Sequence, residues 1–191
     1  VLLHAKRVGP QFALRVIAGD FNQPNAADYP PAEWRAISAD LAAARLPADD
    51  GVAGELRAAG FDIEVATPSG KPVVLEMWAM PTEDDAVMGL YKDLKDQLDA
   101  PASLEDLLGR LDPQSTAAVF VPGGHGAMLG IPDDPKVGRL LRWAHAEGLH
   151  TITLCHGPGA LLATALDGED FLYSDYQMAV FPDSVDKQTP M

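Results

Sequence analysis

Cys155 is the only cysteine in the sequence, and His156 follows it directly. A thiol beside an imidazole is the pairing that nucleophilic catalysis uses, because the base can take or hold the proton of the attacking group. The surrounding order is a short apolar run, Thr151 to Leu154, then the cysteine, then Gly157, Pro158 and Gly159 before Ala160 to Leu166. This reads as strand, sharp turn and helix. Small residues allow the tight bend, and proline is welcome in a first helical turn. A sulfur at such a helix start faces unpaired N–H groups that favour the thiolate. The competing reading is a small, buried, inert side chain, but a structural cysteine does not need that turn.

A catalytic histidine needs a partner to fix its ring, and a carboxylate suits the role. Asp183 and Asp186, after the last apolar run, are the available choices. Gly123 and Gly124 follow another apolar run, and their backbone N–H groups could face a developing oxyanion. His125 is read as shaping that glycine loop, and His4, His145 and His150 as surface or helix-end residues.

These residues need elements to carry them. Leu14–Ala18, Asp62–Thr67, Ala117–Val121 and Gln177–Phe181 are expected to be strands, with Pro72–Glu76 a short edge strand. Helices are expected over Glu33–Arg45, over Gly51–Ala59 ending at Gly60, and from a Thr82 hydroxyl cap to about Leu98. Others are expected to start at Ser103 and at Asp134-Pro135. Alternation of strands and helices implies a doubly wound α/β sheet with helices on both faces. Such sheets place their sites at the carboxyl ends of strands.

The 191 residues suit one domain with a full core. One cysteine excludes an internal disulfide and fits a reducing, cytoplasmic compartment. No apolar run approaches a membrane span, and Val1–Arg7 lacks the order of a secretory signal. The net charge of −14 argues against a phosphate-binding surface, hence against a nucleic-acid partner.

Three motifs sharpen the reading. Val121-Pro-Gly-Gly-His-Gly126, Leu154-Cys-His-Gly-Pro-Gly-Ala-Leu-Leu162 and Phe181-Pro-Asp-Ser-Val-Asp-Lys-Gln-Thr-Pro190 closely resemble the PfpI superfamily. That superfamily shares its flavodoxin-like fold with class I glutamine amidotransferases. Gly60–Gly70 and Met77–Val87 resemble its heat-shock chaperone and glyoxalase III branch. The resemblance spans residues 60–190. It implies a cofactor-free glyoxalase or deglycase, in which methylglyoxal and water become lactate through a hemithioacetal on the cysteine. Holdase activity toward unfolded clients and a homodimer are also implied. By position Cys155 is the nucleophile and His156 its neighbour in a triad-like set. Asp186 orients the histidine, and the Gly124 backbone contributes to the oxyanion site.

The sequence departs from that pattern in places. Ungapped counting puts Ala48, flanked by Asp49 and Asp50, where the family has a glutamate that transfers protons. The family's metal-site positions read Arg57, Asp62 and Leu94, so no metal is expected. The family continues beyond Met191 with further strand and helix, implying a C-terminally truncated fold. Residues 1–59 are the atypical part of the single domain and 60–191 its PfpI-like core. Val16-Ile-Ala-Gly-Asp-Phe-Asn22 resembles instead the endonuclease/exonuclease/phosphatase superfamily, which implies a metal-dependent phosphodiesterase fragment using Asp20 and Asn22.

The thiol reading has a direct consequence. Cys155 is expected to react with iodoacetamide at neutral pH faster than free cysteine does. A slow reaction that requires unfolding would return Cys155 to the inert core.

Overall fold

A computed structural model of the chain describes residues 2–6 as backbone, and residues 51–75 and 82–181. In chain order the elements are β1 (Leu2–Lys6), α1 (Gly51–Ala58), β2 (Asp62–Thr67), α2 (Asp85–Asp99) and β3 (Ala102–Ser103). Then come α3 (Leu104–Leu108), β4 (Thr116–Val121), a 3-10 turn (His125–Met128), α4 (Pro135–Ala146), β5 (His150–Thr153) and 3-10 turns over Gly157–Gly168.

The sheet runs β3-β2-β1-β4-β5. β2 pairs with β3, and β4 with β5, in parallel. β1 lies between the two pairs and is antiparallel to both its neighbours. The expected parallel α/β arrangement therefore holds within each flanking pair, with a reversed strand at the centre. The expected first strand at Leu14–Ala18 and the helix at Glu33–Arg45 lie outside the described residues.

Alternating side chains of the sheet feed two cores. Ala66, Val119 and Val121 pack with Leu104, Leu107, Val137, Leu140 and Leu141 on one face. Ile63, Val65 and Phe120 pack with Leu56 and Leu94 on the other. Burying a Leu or Val side chain contributes about 1.5–3 kcal/mol, so each layer is held by several such terms.

Helix boundaries follow their caps. Gly60, at φ 85, ends α1, with its own N–H donating to the Arg57 carbonyl and that of Phe61 to Leu56. Ser103 Oγ accepts from the Asp106 N–H, and Asp134 Oδ1 from the Lys136 N–H, as expected for those two starts. α2 differs: Asp84, not Thr82, is the cap, its carboxylate accepting from Ala86 and Val87 N–H. A charged acceptor facing the helix start outcompetes the hydroxyl.

Two expected strands are absent from the described residues. Residues 71–75 are irregular because the Val73 N–H is taken by the Leu98 carbonyl at the end of α2. Residues 177–181 are also irregular: Met178 and Val180 are exposed, and the Phe181 N–H turns back to the Cys155 carbonyl. β3 is only two residues long, and the Gln97 amide covers part of β2 instead. It accepts from the Val65 N–H and donates to the Ile63 carbonyl, at 2.9 and 3.0 Å.

α4 and the Gly157–Gly168 segment meet backbone to backbone at Gly138, where a Cβ would collide with the Ala163 carbonyl. Arg142, one turn on, donates to the Thr164 and Asp170 carbonyls and braces the far end of that segment. Gly138→Ala is expected to destabilise the protein by about 1–3 kcal/mol, since backbone must move to admit the methyl group. A denaturant-unfolding midpoint unchanged from the parent would contradict this.

Candidate active site

β4 and β5 are parallel neighbours, with Val121 opposite Thr153, so their carboxyl ends emerge side by side. Gly123 leaves one and Cys155 the other. A Cβ on Gly123 would stand 2.5 Å from Cys155 Cβ and 3.1 Å from the Leu154 carbonyl oxygen. Only a residue without a side chain fits. Gly157 is equally constrained, because a Cβ there would strike the Val121 carbonyl.

Cys155 itself sits at φ 54, in the left-handed region that residues with a Cβ seldom adopt. Such strain costs about 1–3 kcal/mol and persists only where the surroundings impose it. Here three backbone bonds do so. The Leu154 N–H donates to Val121 O, the Gly157 N–H to Leu154 O and the Phe181 N–H to Cys155 O. The result is a sharp, strained elbow that follows directly on the end of β5. Cys155 is partly exposed, and its Sγ lies 3.2 Å from His156 Nδ1. At that separation the two atoms can share a proton. The expected pair of Cys155 and His156 is thus brought together.

The segment after the elbow was expected to be an ordinary helix. It is instead a series of tight 3-10 turns, broken at Leu166 (ψ 168) and Asp167 (φ 58). The break lets Thr164 turn its carbonyl to Arg142 and its buried hydroxyl to the Leu161 carbonyl. Gly124 adopts φ 85 and precedes the His125–Met128 turn. It follows the glycine that touches Cys155, which puts its backbone at the same strand end as the sulfur.

Asp183 and Asp186 lie outside the described residues, as do Ala48, Asp49 and Asp50. Asp20 and Asn22 of the phosphodiesterase-like motif, and Met77, Trp78 and Met80, lie there too. Of the three metal-site positions, Arg57 forms an ion pair with Asp93 at 2.8 Å and Leu94 is buried in the α1–α2 core. Among the described residues no three His, Cys, Asp or Glu side chains converge as a metal site. None of the described helices is long and apolar enough to cross a membrane.

Two features escaped the sequence reading. Phe181 places its ring 4.6 Å from the His156 ring, at an interplanar angle of 33°. Its only signal was a position in the motif that also carries Asp183 and Asp186. His145 is exposed in the last turn of α4, as its reading as a surface or helix-end residue expected, but its contacts were not foreseen: it meets Tyr176 Oη at 3.1 Å and the edge of Tyr173. Burial pushes the Tyr173 phenol above its ordinary range, and a hydrogen bond with Thr151 only partly offsets it. This cluster packs beside β5 and α4 and does not include the elbow residues.

Gly123→Ala is expected to displace the elbow and slow alkylation of Cys155 about tenfold or more, because sub-ångström placement governs such reactions. Parental alkylation kinetics in this variant would show that the contact does not position the sulfur.

Comparisons with known proteins bear on the family to which this arrangement belongs. No family model matches the chain. The chain is 52% identical over 132 residues to the protein/nucleic acid deglycase HchA of Pseudomonas aeruginosa (strain LESB58), covering 67% of this chain and 45% of that protein. It is 48% identical over 134 residues to the protein of the same name from Staphylococcus aureus (strain MSSA476), covering 69% and 46%. The chain therefore spans about half the length of the curated relatives it matches. Their name includes nucleic acid, against the expectation of no nucleic-acid partner. The crystal structure of APC35852 superposes with a TM-score of 0.58 at 24% identity, over 71% of this chain and 57% of that one. That likeness supports the flavodoxin-like α/β fold. Over the two-thirds of its length that the HchA proteins match, the chain belongs to the PfpI superfamily.

Proposed function

We propose that the protein is a cysteine-dependent, cofactor-independent glyoxalase III or deglycase acting on methylglyoxal-type 2-oxoaldehydes. The observation that carries this is Cys155, held at positive φ with its sulfur 3.2 Å from His156 Nδ1. The relatives' name adds adducts of such aldehydes on protein and nucleic acid to the substrate class.

The chemistry balances without a redox partner. Sγ adds to the aldehyde carbon of methylglyoxal, forming one C–S bond. The carbonyl oxygen becomes an oxyanion facing the Gly124 backbone and takes the proton that left the thiol by way of His156. The hydrogen on that carbon then leaves as a proton and the adjacent ketone carbon gains one, while the hemithioacetal hydroxyl gives up its proton and the former ketone oxygen takes one, turning the hemithioacetal into a lactoyl thioester. Water adds to the thioester carbon, the C–S bond breaks, and lactate leaves. An aldehyde already joined to an amine enters the same path. The C–S bond forms, the C–N bond breaks, and nitrogen carries away the proton. Asp186 is assigned the role of orienting His156. With Ala48 at the family's glutamate position, His156 is also assigned the carbon-to-carbon proton transfer.

A holdase is the second reading, favoured by apolar side chains left in solvent, among them Val74 (91% exposed), Leu129 (79%) and Val180 (61%). A homodimer in a reducing cytoplasm accompanies either reading.

The test is lactate formation from methylglyoxal without glutathione. The parent chain is expected to form it, and Cys155→Ala to fall to the uncatalysed rate. Equal rates in the two proteins would remove the proposed chemistry. Suppression of client aggregation that survives Cys155→Ala, without lactate formation by the parent, would select the holdase.

A further inference from the structure

We propose that Phe181 is a positioning residue for the Cys155–His156 pair, clamping the imidazole and the elbow backbone together. The inference rests on the reading of Cys155 as nucleophile and extends it to a residue with no reactive group of its own.

Adjacent residues seldom present their side chains to each other. For Nδ1 of His156 to stand 3.2 Å from Sγ of Cys155, the imidazole must be kept in one of its several rotamers. His156 is only partly buried. Phe181 supplies a surface against which the ring can rest. The centroids are 4.6 Å apart and the planes tilted by 33°, within the range of offset aromatic stacking. A ring laid across the imidazole face leaves both ring nitrogens at the edge. Nδ1 therefore stays directed at the sulfur.

The same residue also holds the elbow. The Phe181 N–H donates to the Cys155 carbonyl at 3.4 Å, so side chain and main chain of one residue grip two consecutive residues of the site. The preceding residues do not share this fixing. Met178 is 42% and Val180 61% exposed, and no regular structure holds 177–181. Phe181 is partly buried where the residues just before it are not. An irregular segment that returns to the nucleophile at one residue, and there stacks on the base, is placed as a brace.

The experiment uses the full chain with Phe181→Leu and Phe181→Tyr. Leucine keeps the backbone bond and much of the apolar volume but removes the aromatic face, whereas tyrosine keeps the face. In nuclear magnetic resonance spectra, the ring-proton signals of His156 are expected to be displaced by the Phe181 ring current. The displacement is lost in Phe181→Leu and restored in Phe181→Tyr. Alkylation of Cys155 by iodoacetamide is expected to slow about three- to tenfold in Phe181→Leu. Turnover of methylglyoxal should fall in kcat by about tenfold with KM changed less than about twofold, since orientation and not binding is lost. Phe181→Tyr should recover most of both rates. His156 ring signals that are the same in parent and Phe181→Leu would overturn the proposal, as would parental alkylation kinetics in Phe181→Leu. Failure of the parent chain to turn over methylglyoxal would count against the enzymatic reading alone, because the resonance and alkylation measurements judge the brace without it.

Discussion

The structure depends on how closely the ends of β4 and β5 approach. Parallel strands lie a fixed distance apart, and side chains at their ends normally keep the following loops separate. Gly123 and Gly157 remove that separation. One lets the Cys155 Cβ rest against its own α-carbon, and the other lets the chain after the elbow pass the Val121 carbonyl. The chain can therefore reverse within two residues and leave the sulfur at the sheet edge. The left-handed backbone at Cys155 is the consequence of this crowding, and the bonds from Leu154, Gly157 and Phe181 offset its cost.

That local compression needs a rigid support, and α4 supplies it. Val137, Leu140, Leu141 and Ala144 are essentially buried against β4 and the Ala160–Thr164 face. Gly138 brings the two backbones into contact, so the elbow segment cannot slide without driving carbonyl into α4. Arg142 then fills carbonyls that the irregular 3-10 turns leave unpaired, with Glu169 at 3.7 Å from the same guanidinium. A regular helix would have satisfied those carbonyls internally. The broken turns and the arginine are two halves of one arrangement.

The sequence disclosed what depends on local chemistry. Gly-Pro-Gly after Cys155-His156 announced a bend, and Asp134-Pro135 and Ser103 announced caps, because each signal and its partner lie within a few residues. Alternation in Asp62–Thr67 and the apolar run at β4 were legible for the same reason. What was not legible depends on distant partners. Residues 71–75 carry a strand-like composition, yet the Val73 N–H goes to Leu98, some 25 positions away. Gln97 looks like an exposed helix residue, yet it completes hydrogen bonds of β2. Leu2–Lys6 gave no signal beyond a few apolar residues, and it became the central strand because both parallel pairs offer it an edge. The carboxylate expected to orient His156 belongs to Pro182–Asp186, beyond the described residues, whereas Phe181 beside it is placed and stacks on the ring.

The reversed β1 bears on where a site can form. Open α/β sheets gather loops at the carboxyl edge of parallel strands, and an antiparallel strand breaks that row. In this sheet the break falls at the centre, leaving β2–β3 and β4–β5 as separate parallel pairs. Loops after β2 and β3 consequently belong to a different part of the edge from the loops after β4 and β5. The glycine contact, the strained cysteine, the imidazole and its aromatic neighbour all come from residues 121–181, as does the α4 support. The geometry of the Cys155–His156 pair is thus written almost wholly within one stretch of the chain, while β1 contributes to it only through the pairing that holds β4 in the sheet.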